Sequence, residues 1–147
     1  AGAGVSNVFE TAAAGGFTLA SPVATTSGGT VTISTSIPSG TKVIFMMFNK
    51  VGNNSGGQVT VRIADSGGLE TSGYVGGLAG ILTATPHGSN YGVGFKVVDL
   101  TVAADNYSGT CMLHCHDISN HIWTFHSIMG ANTGIGIDFA GGIRYCC

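Results

Sequence analysis

Chemically capable side chains concentrate in residues 110–127, TCMLHCHDISNHIWTFHS, which hold Cys111, Cys115, His114, His116, His121 and His126. Imidazoles suit zinc or copper, and three on one surface would make a His₃ site with an open position. If residues 117–120 form a four-residue turn, His116 lies opposite His121 and His114 opposite Trp123. Strand alternation then groups Met112, His114 and His116 with His121, Trp123 and Phe125. Cys111, Leu113 and Cys115 share the other face with Ile122, Thr124 and His126. That face places no carboxylate behind the imidazoles, although metal-bound histidines normally lean on one. His114, His116 and His121 are therefore expected to pack with Trp123 and Phe125 under a neighbouring subunit. The metal site is the alternative, and no cofactor is expected. Acid should loosen such a packed face, because imidazoles gain charge between pH 5 and 8.

Other chemistry is thinner. Cys115 and His126 share a predicted face, as a thiol nucleophile and its base would, but no third group orients them. Gly-x-Ser-x-Gly, Walker, Gly-x-Gly-x-x-Gly and His-Glu-x-x-His motifs are all missing from the sequence. Asp65 and Asp117 fall at predicted turns, where Asp serves its own backbone rather than a glycosidase pair. The sequence gives no enzyme. Cys111 and Cys115, four apart on a strand, would be roughly 13 Å apart, and a disulfide needs less than about 7 Å. Cys146 and Cys147 are adjacent, so free thiols are expected, with cross-links from Cys111 or Cys115 to the terminal pair as the alternative.

The elements that must carry these residues read as short strands between turns, the pattern of an all-β, antiparallel two-sheet sandwich. About eight strands in jelly-roll-like order are expected by that pattern. Residues 1–16 read as an extension and 17–147 as the sandwich domain. Val31, Ile33 and Ile37 lead into a Pro38-Ser39-Gly40 turn. Residues 41–49 are the most apolar strand and are expected to be central. Residues 53–57 turn the chain into 58–64, where Val59, Val61 and Ile63 alternate with polar partners. Residues 65–68 close a hairpin. Further strands are predicted at 81–85, 91–98, 109–116, 121–128 and 135–144, and the glycine-rich run 73–80 reads as a connection. Residues 10–14 are the only helix-prone stretch and are too short to stand alone.

Composition narrows the setting. Of 147 residues only 5 are Lys or Arg and 7 Asp or Glu, far below the roughly 25% charged residues of ordinary domains. Such a surface suits a chain covered by neighbours, since interface cores are poor in Lys, Glu and Asp. The basic residues Lys42, Lys50, Arg62, Lys96 and Arg144 are scattered, which excludes the clustered charge that nucleic acid requires. No apolar run approaches the ~20 residues of a membrane-spanning helix. Asn53 and Asn106 each start an Asn-x-Ser triplet, a pattern that arises often by chance. The chain opens on Ala1, so processing upstream is expected.

Several segments carry a family pattern: 26–30 (TSGGT), 37–42 (IPSGTK), 47–51 (MFNKV) and 70–74 (ETSGY). The pattern continues through the glycine run 76–80, Ser89-Asn90-Tyr91, the strands flanking 117–120 and the final strand 139–145. In these segments the chain resembles a β-domain found in bacteriophage tail-fibre and other virion surface proteins. The His- and Cys-rich hairpin has no counterpart in that pattern. The resemblance implies a virion structural protein, a tail-fibre or surface module on the particle exterior. It would assemble as a homo-oligomer, expected to be a trimer, with other virion proteins. A capsid decoration protein or a subunit of another extracellular filament is the alternative. Attachment to a cell-surface glycan or protein would use loops at one end of the sandwich. The expected loops are 53–57, 66–77 and 86–90, with Tyr74, His87 and Tyr91 as receptor-contacting side chains.

Overall fold

The computed structural model describes residues 21–24, 31, 38–52, 57–65, 67–100, 105–132 and 136–145. The chain divides into two compact units, Ala1–Ser36 and Ile37–Cys147. Of the first unit, residues 21–24 and 31 are described and hold no regular structure. The expected boundary at 16/17, the strand around Ile33 and the stretch 10–14 lie outside the described residues, as do loop 53–56 and Cys146 and Cys147.

The second unit is all-β, with no helix among the described residues. Its strands are β1 (Val43–Gly52), β2 (Gly57–Val61), β3 (Ala64–Asp65), β4 (Gly68–Leu69), β5 (Tyr74–Leu82), β6 (Thr85–Tyr91), β7 (Phe95–Leu100), β8 (Asn106–Asp117), β9 (Ile122–Ala131) and β10 (Gly136–Arg144). Six of them form one antiparallel sheet in the order β1-β8-β9-β10-β5-β6, while β2 pairs with β7 and β3 with β4. One large sheet with two small ones is thus seen among the described residues.

Strand β7 lies across β5, β9 and β10 and supplies the core of the contact. Phe95, Val97 and Val98 are fully buried there. Phe95 stacks on Phe125 of β9 at 4.8 Å and meets Tyr74 of β5 edge-on at 4.9 Å. Such ring pairs add to the area they bury, by about 0.5–1.5 kcal/mol each. Burial on both sides explains why FKVVDL lacks the alternation of β2.

Several sequence expectations change: ten strands are seen among the described residues rather than about eight, and the expected strand 91–98 is broken between β6 and β7. Strand β1 is apolar as foreseen but sits at the sheet edge among the described residues. Only Ile44, Met46 and Phe48 pack inward, while Phe45 and Met47 face out. Beyond Phe48 a bulge with Lys50 at φ 54 re-aims Val51 into the core. The expected strand 81–85 is the tip of the β5–β6 hairpin instead, with residues 83–84 as its turn. Thr83 and Ala84 both have positive φ (48 and 67) between the paired Leu82 and Thr85. That is the two-residue loop whose twist suits antiparallel strands, built here without Asn or Gly. From Tyr74 onward the glycine run 73–80 belongs to strand β5, second from the other edge of the sheet. Gly76 is bare because a Cβ there would strike the Tyr91 hydroxyl; Gly80 is bare because one would strike the Asp138 carboxylate.

Candidate functional site

The hairpin β8–β9 forms, but in a different register. Asp117 Oδ1 accepts the N–H groups of Ser119 (2.8 Å) and Asn120 (3.0 Å), and Oδ2 accepts Asn120 Nδ2 (2.7 Å). These bonds, first that of the Asn120 side chain, hold the Asp117 carboxyl below its usual range. The turn extends to His121 in the left-handed region (φ 48), and a bulge between Cys115 and Asp117 shifts the pairing. Cys115 therefore opposes Trp123, His114 opposes Thr124 and Met112 opposes His126. A shift of one residue moves every side chain of β9 to the other face.

The consequences correct the expected site. Cys111, Leu113, Phe125, Ser127 and Met129 are buried, while His126 is exposed with His114 stacked on it at 5.7 Å. His116 Nε2 lies 2.8 Å from Thr124 Oγ1. His121 belongs to the turn, and Trp123 and Phe125 stand on the face opposite His114. The set His114, His116, His121 is not assembled, and no group of three or more metal-ligating side chains is found among the described residues. Cys115 and His126 point to opposite faces, so that nucleophile pair is lost as well. Cys111 and Cys115 are free thiols, and burial pushes the Cys111 thiol up to about 12.

The expected receptor residues move inward. Tyr74 is a core residue whose hydroxyl accepts the Ile63 N–H (2.9 Å) and contacts the Glu70 carbonyl (3.4 Å). Tyr91 lies edge-on to Phe95 at 6.3 Å. Its hydroxyl is buried with no partner among the described residues, and burial raises it to about 12. His87 approaches Asp138 with Nε2 2.9 Å from Oδ1, off the line of an aligned hydrogen bond. Segments 74–77 and 86–90 are strands, so these three side chains do not cluster on end loops.

Sequence reasoning missed a buried polar cluster between β6, β7 and β10. Asp138 is fully buried and receives the Asp99 N–H at 3.3 Å. Its carboxyl is raised above the usual range by burial, against the pull of that N–H and of His87. Ser89 Oγ donates to Asp99 Oδ2 (2.8 Å), and buried Lys96 donates to Ser89 (2.7 Å) and Asp99 (3.2 Å). Ser, His, Asp and Lys are all present, yet the Ser89 proton is directed at a carboxylate, not at His87. Lys96, Ser89 and Asp99 pair with one another inside the fold, and the arrangement does not build a nucleophile. The signal was Lys96 within the apolar run FKVVDL and Asp138 between Ile137 and Phe139. Arg144, also on the inner face of β10, pairs with Glu70 at 2.6 Å and lies over the Tyr74 ring at 5.6 Å.

With its charges turned inward, β10 turns its apolar side chains outward. Phe139 and Ile137 are exposed, next to exposed Ile128 on β9 and Val75 and Ile81 on β5, with Phe45 and Met47 on β1. Met47 is 75% exposed and Val75 60%. The pairings place Met47, Thr110, Ile128, Phe139, Ala79 and Gly88 in one row across all six strands. The next row is Phe45, Met112, His126, Gly141, Gly77 and Asn90. Neither row contains Asp, Glu, Lys or Arg. The two rows thus form a contiguous, mostly apolar and uncharged strip on the outer face of the sheet.

Comparisons with protein-family models, curated proteins and solved structures find no match to the chain. No helix among the described residues is long and apolar enough to cross a membrane.

Proposed function

We propose that the chain is a non-enzymatic structural protein of a virion, a tail-fibre or surface module that works by self-assembly. The observation that carries this reading is the inverted strand β10, with Asp138 and Arg144 buried and Ile137 and Phe139 exposed. A monomer would gain by the opposite choice, because charges cost free energy inside and apolar groups gain by burial. A sheet face covered by a neighbouring subunit removes the conflict. The paired β2–β7 layer over the other face is read as part of the second sheet of a sandwich. The motifs that resemble tail-fibre domains supply the setting, and the uncharged face supplies the means. Receptor attachment, in this reading, belongs to surface residues other than Tyr74 and Tyr91.

Immunogold labelling of purified particles, with antibodies against the chain, tests the setting. Label on the tail supports the fibre role, and label on the shell supports the decoration role. Absence from every particle fraction contradicts both.

A further inference from the structure

We infer that the outer face of the six-stranded sheet pairs with the same face of a second copy, about a twofold axis that runs along the strands between β9 and β10. The inference deepens the assembly reading and rests on it, with a twofold pair in place of the expected trimer.

Three observations converge. The first is extent: six strands ~4.8 Å apart and four outward rows ~6.8 Å apart cover on the order of 800 Å². That matches the ~800 Å² per partner of a stable protein interface. The second is charge. A face without Asp, Glu, Lys or Arg in its two central rows meets its own image without repulsion and without stranding an ion. The third is shape. In the two central rows the β1–β8 flank is bulky, with Phe45, Met47 and Met112, while the β5–β6 flank is low there, with Gly77, Ala79 and Gly88 beside Asn90; Val75 and Ile81 stand in the outer rows.

A twofold axis along the strands lays each flank over its opposite. Strand β1 of one copy then faces β6 of the other, β8 faces β5, and β9 faces β10. Met47 falls over Gly88, Met112 over Gly77 and His126 over Gly141, while Ile128 meets Phe139 near the axis. An axis across the strands would instead set Met47 against Met47 and glycine against glycine. Sheets packed face to face sit ~10 Å apart, close enough for these side chains to interdigitate. The residue-to-residue relation is reciprocal, as a closed pair requires.

Sedimentation equilibrium on the full chain, at concentrations up to about 100 micromolar, tests the pairing. A dimer with micromolar or tighter affinity is expected. Phe139→Lys sets two ammonium groups near the axis and should weaken it at least 100-fold, about 2.7 kcal/mol, with an unchanged circular dichroism spectrum. Gly77→Leu should weaken pairing about 10-fold, and adding Met112→Ala should restore it, because the two positions meet across the interface. A monomer, a trimer, a Phe139→Lys dimer of unchanged affinity, or a monomer that binds neutral lipid vesicles overturns the inference. A chain that is monomeric yet present in labelled particles defeats the twofold pairing alone. One that dimerises but is absent from particles defeats the virion setting alone.

Discussion

Phe95 joins the β2–β7 layer to the large sheet, so replacing it measures what that layer rests on. The ring is fully buried and touches three others: Phe125 stacked at 4.8 Å, Tyr74 edge-on at 4.9 Å and Tyr91 at 6.3 Å. Phe95→Ala removes most of a buried side chain and leaves a cavity walled by strands that cannot collapse together, a loss of about 4 kcal/mol. Set against a total stability of roughly 5–15 kcal/mol for a domain of this kind, that is close to unfolding. Phe95→Leu keeps most of the volume but loses the ring pairs, and should cost about 1.5 kcal/mol. The Phe95/Phe125 double-mutant cycle should return a coupling of about 1 kcal/mol. Urea unfolding followed by fluorescence of the single tryptophan, Trp123, reads all of these. If Phe95→Ala folds and costs less than about 1.5 kcal/mol, far below the usual range for a buried ring, the β7 packing described here is wrong. Phe95→Leu keeps the test decisive if the alanine variant does not fold.

Four further outcomes follow from local geometry and burial. Ala84→Gly should raise stability by about 1 kcal/mol, because residue 84 sits at φ 67, which glycine adopts freely; an unchanged urea midpoint would refute the turn geometry. Gly142→Ala should destabilise by about 2 kcal/mol, since its Cβ would meet the Tyr91 hydroxyl and, at 2.6 Å, the Val75 carbonyl oxygen. Tyr91→Phe should be neutral or stabilising, because the hydroxyl it removes is buried with no partner among the described residues; destabilisation by Tyr91→Phe would reveal a partner. Burial raises the Asp138 carboxyl, so the folded protein keeps its proton at a pH where the unfolded chain has lost it. Stability from this group is full below the unfolded value of ~3.9 and is lost as pH rises through the raised folded value. Asp138→Asn should therefore gain on the wild type from about pH 4 upward. Parallel stability curves for the two proteins would contradict the assignment.

Strand identity was largely legible in the sequence, because alternation and Gly/Asn/Asp turns report directly on the pleat. The hairpins around Asp65 and Asp117 are turned by Asp side chains, as their sequences suggest. Failures arose where the chain turns without turn residues or pairs out of step. Thr83-Ala84 carries no turn signature, and neither glycine nor asparagine marks its left-handed conformations. The bulge before Asp117 is invisible to a count of turn length, and one residue of slip exchanged the histidine face for the tryptophan face. The glycine run 73–80 read as a connection because the space above its glycines is filled by Tyr91 and Asp138, which are distant in sequence. The exposed face depends on which side of β10 carries Asp138, and this was not legible without the sheet order.

The most direct measurement of the central claim is the oxidation rate of Met47 in the assembled chain compared with the dispersed one. Met47 stands on the outer face with 75% of its surface exposed in the single chain. A methionine that open forms sulfoxide readily. Hydrogen peroxide treatment followed by peptide mass spectrometry, with fully buried Met129 as the internal reference, gives both rates. If the outer face is the assembly surface, Met47 oxidises at least ~10-fold more slowly in the assembled state, as side chains sealed under an interface do. Equal Met47 rates in assembled and dispersed chains would show that the face stays open to solvent and would contradict the account.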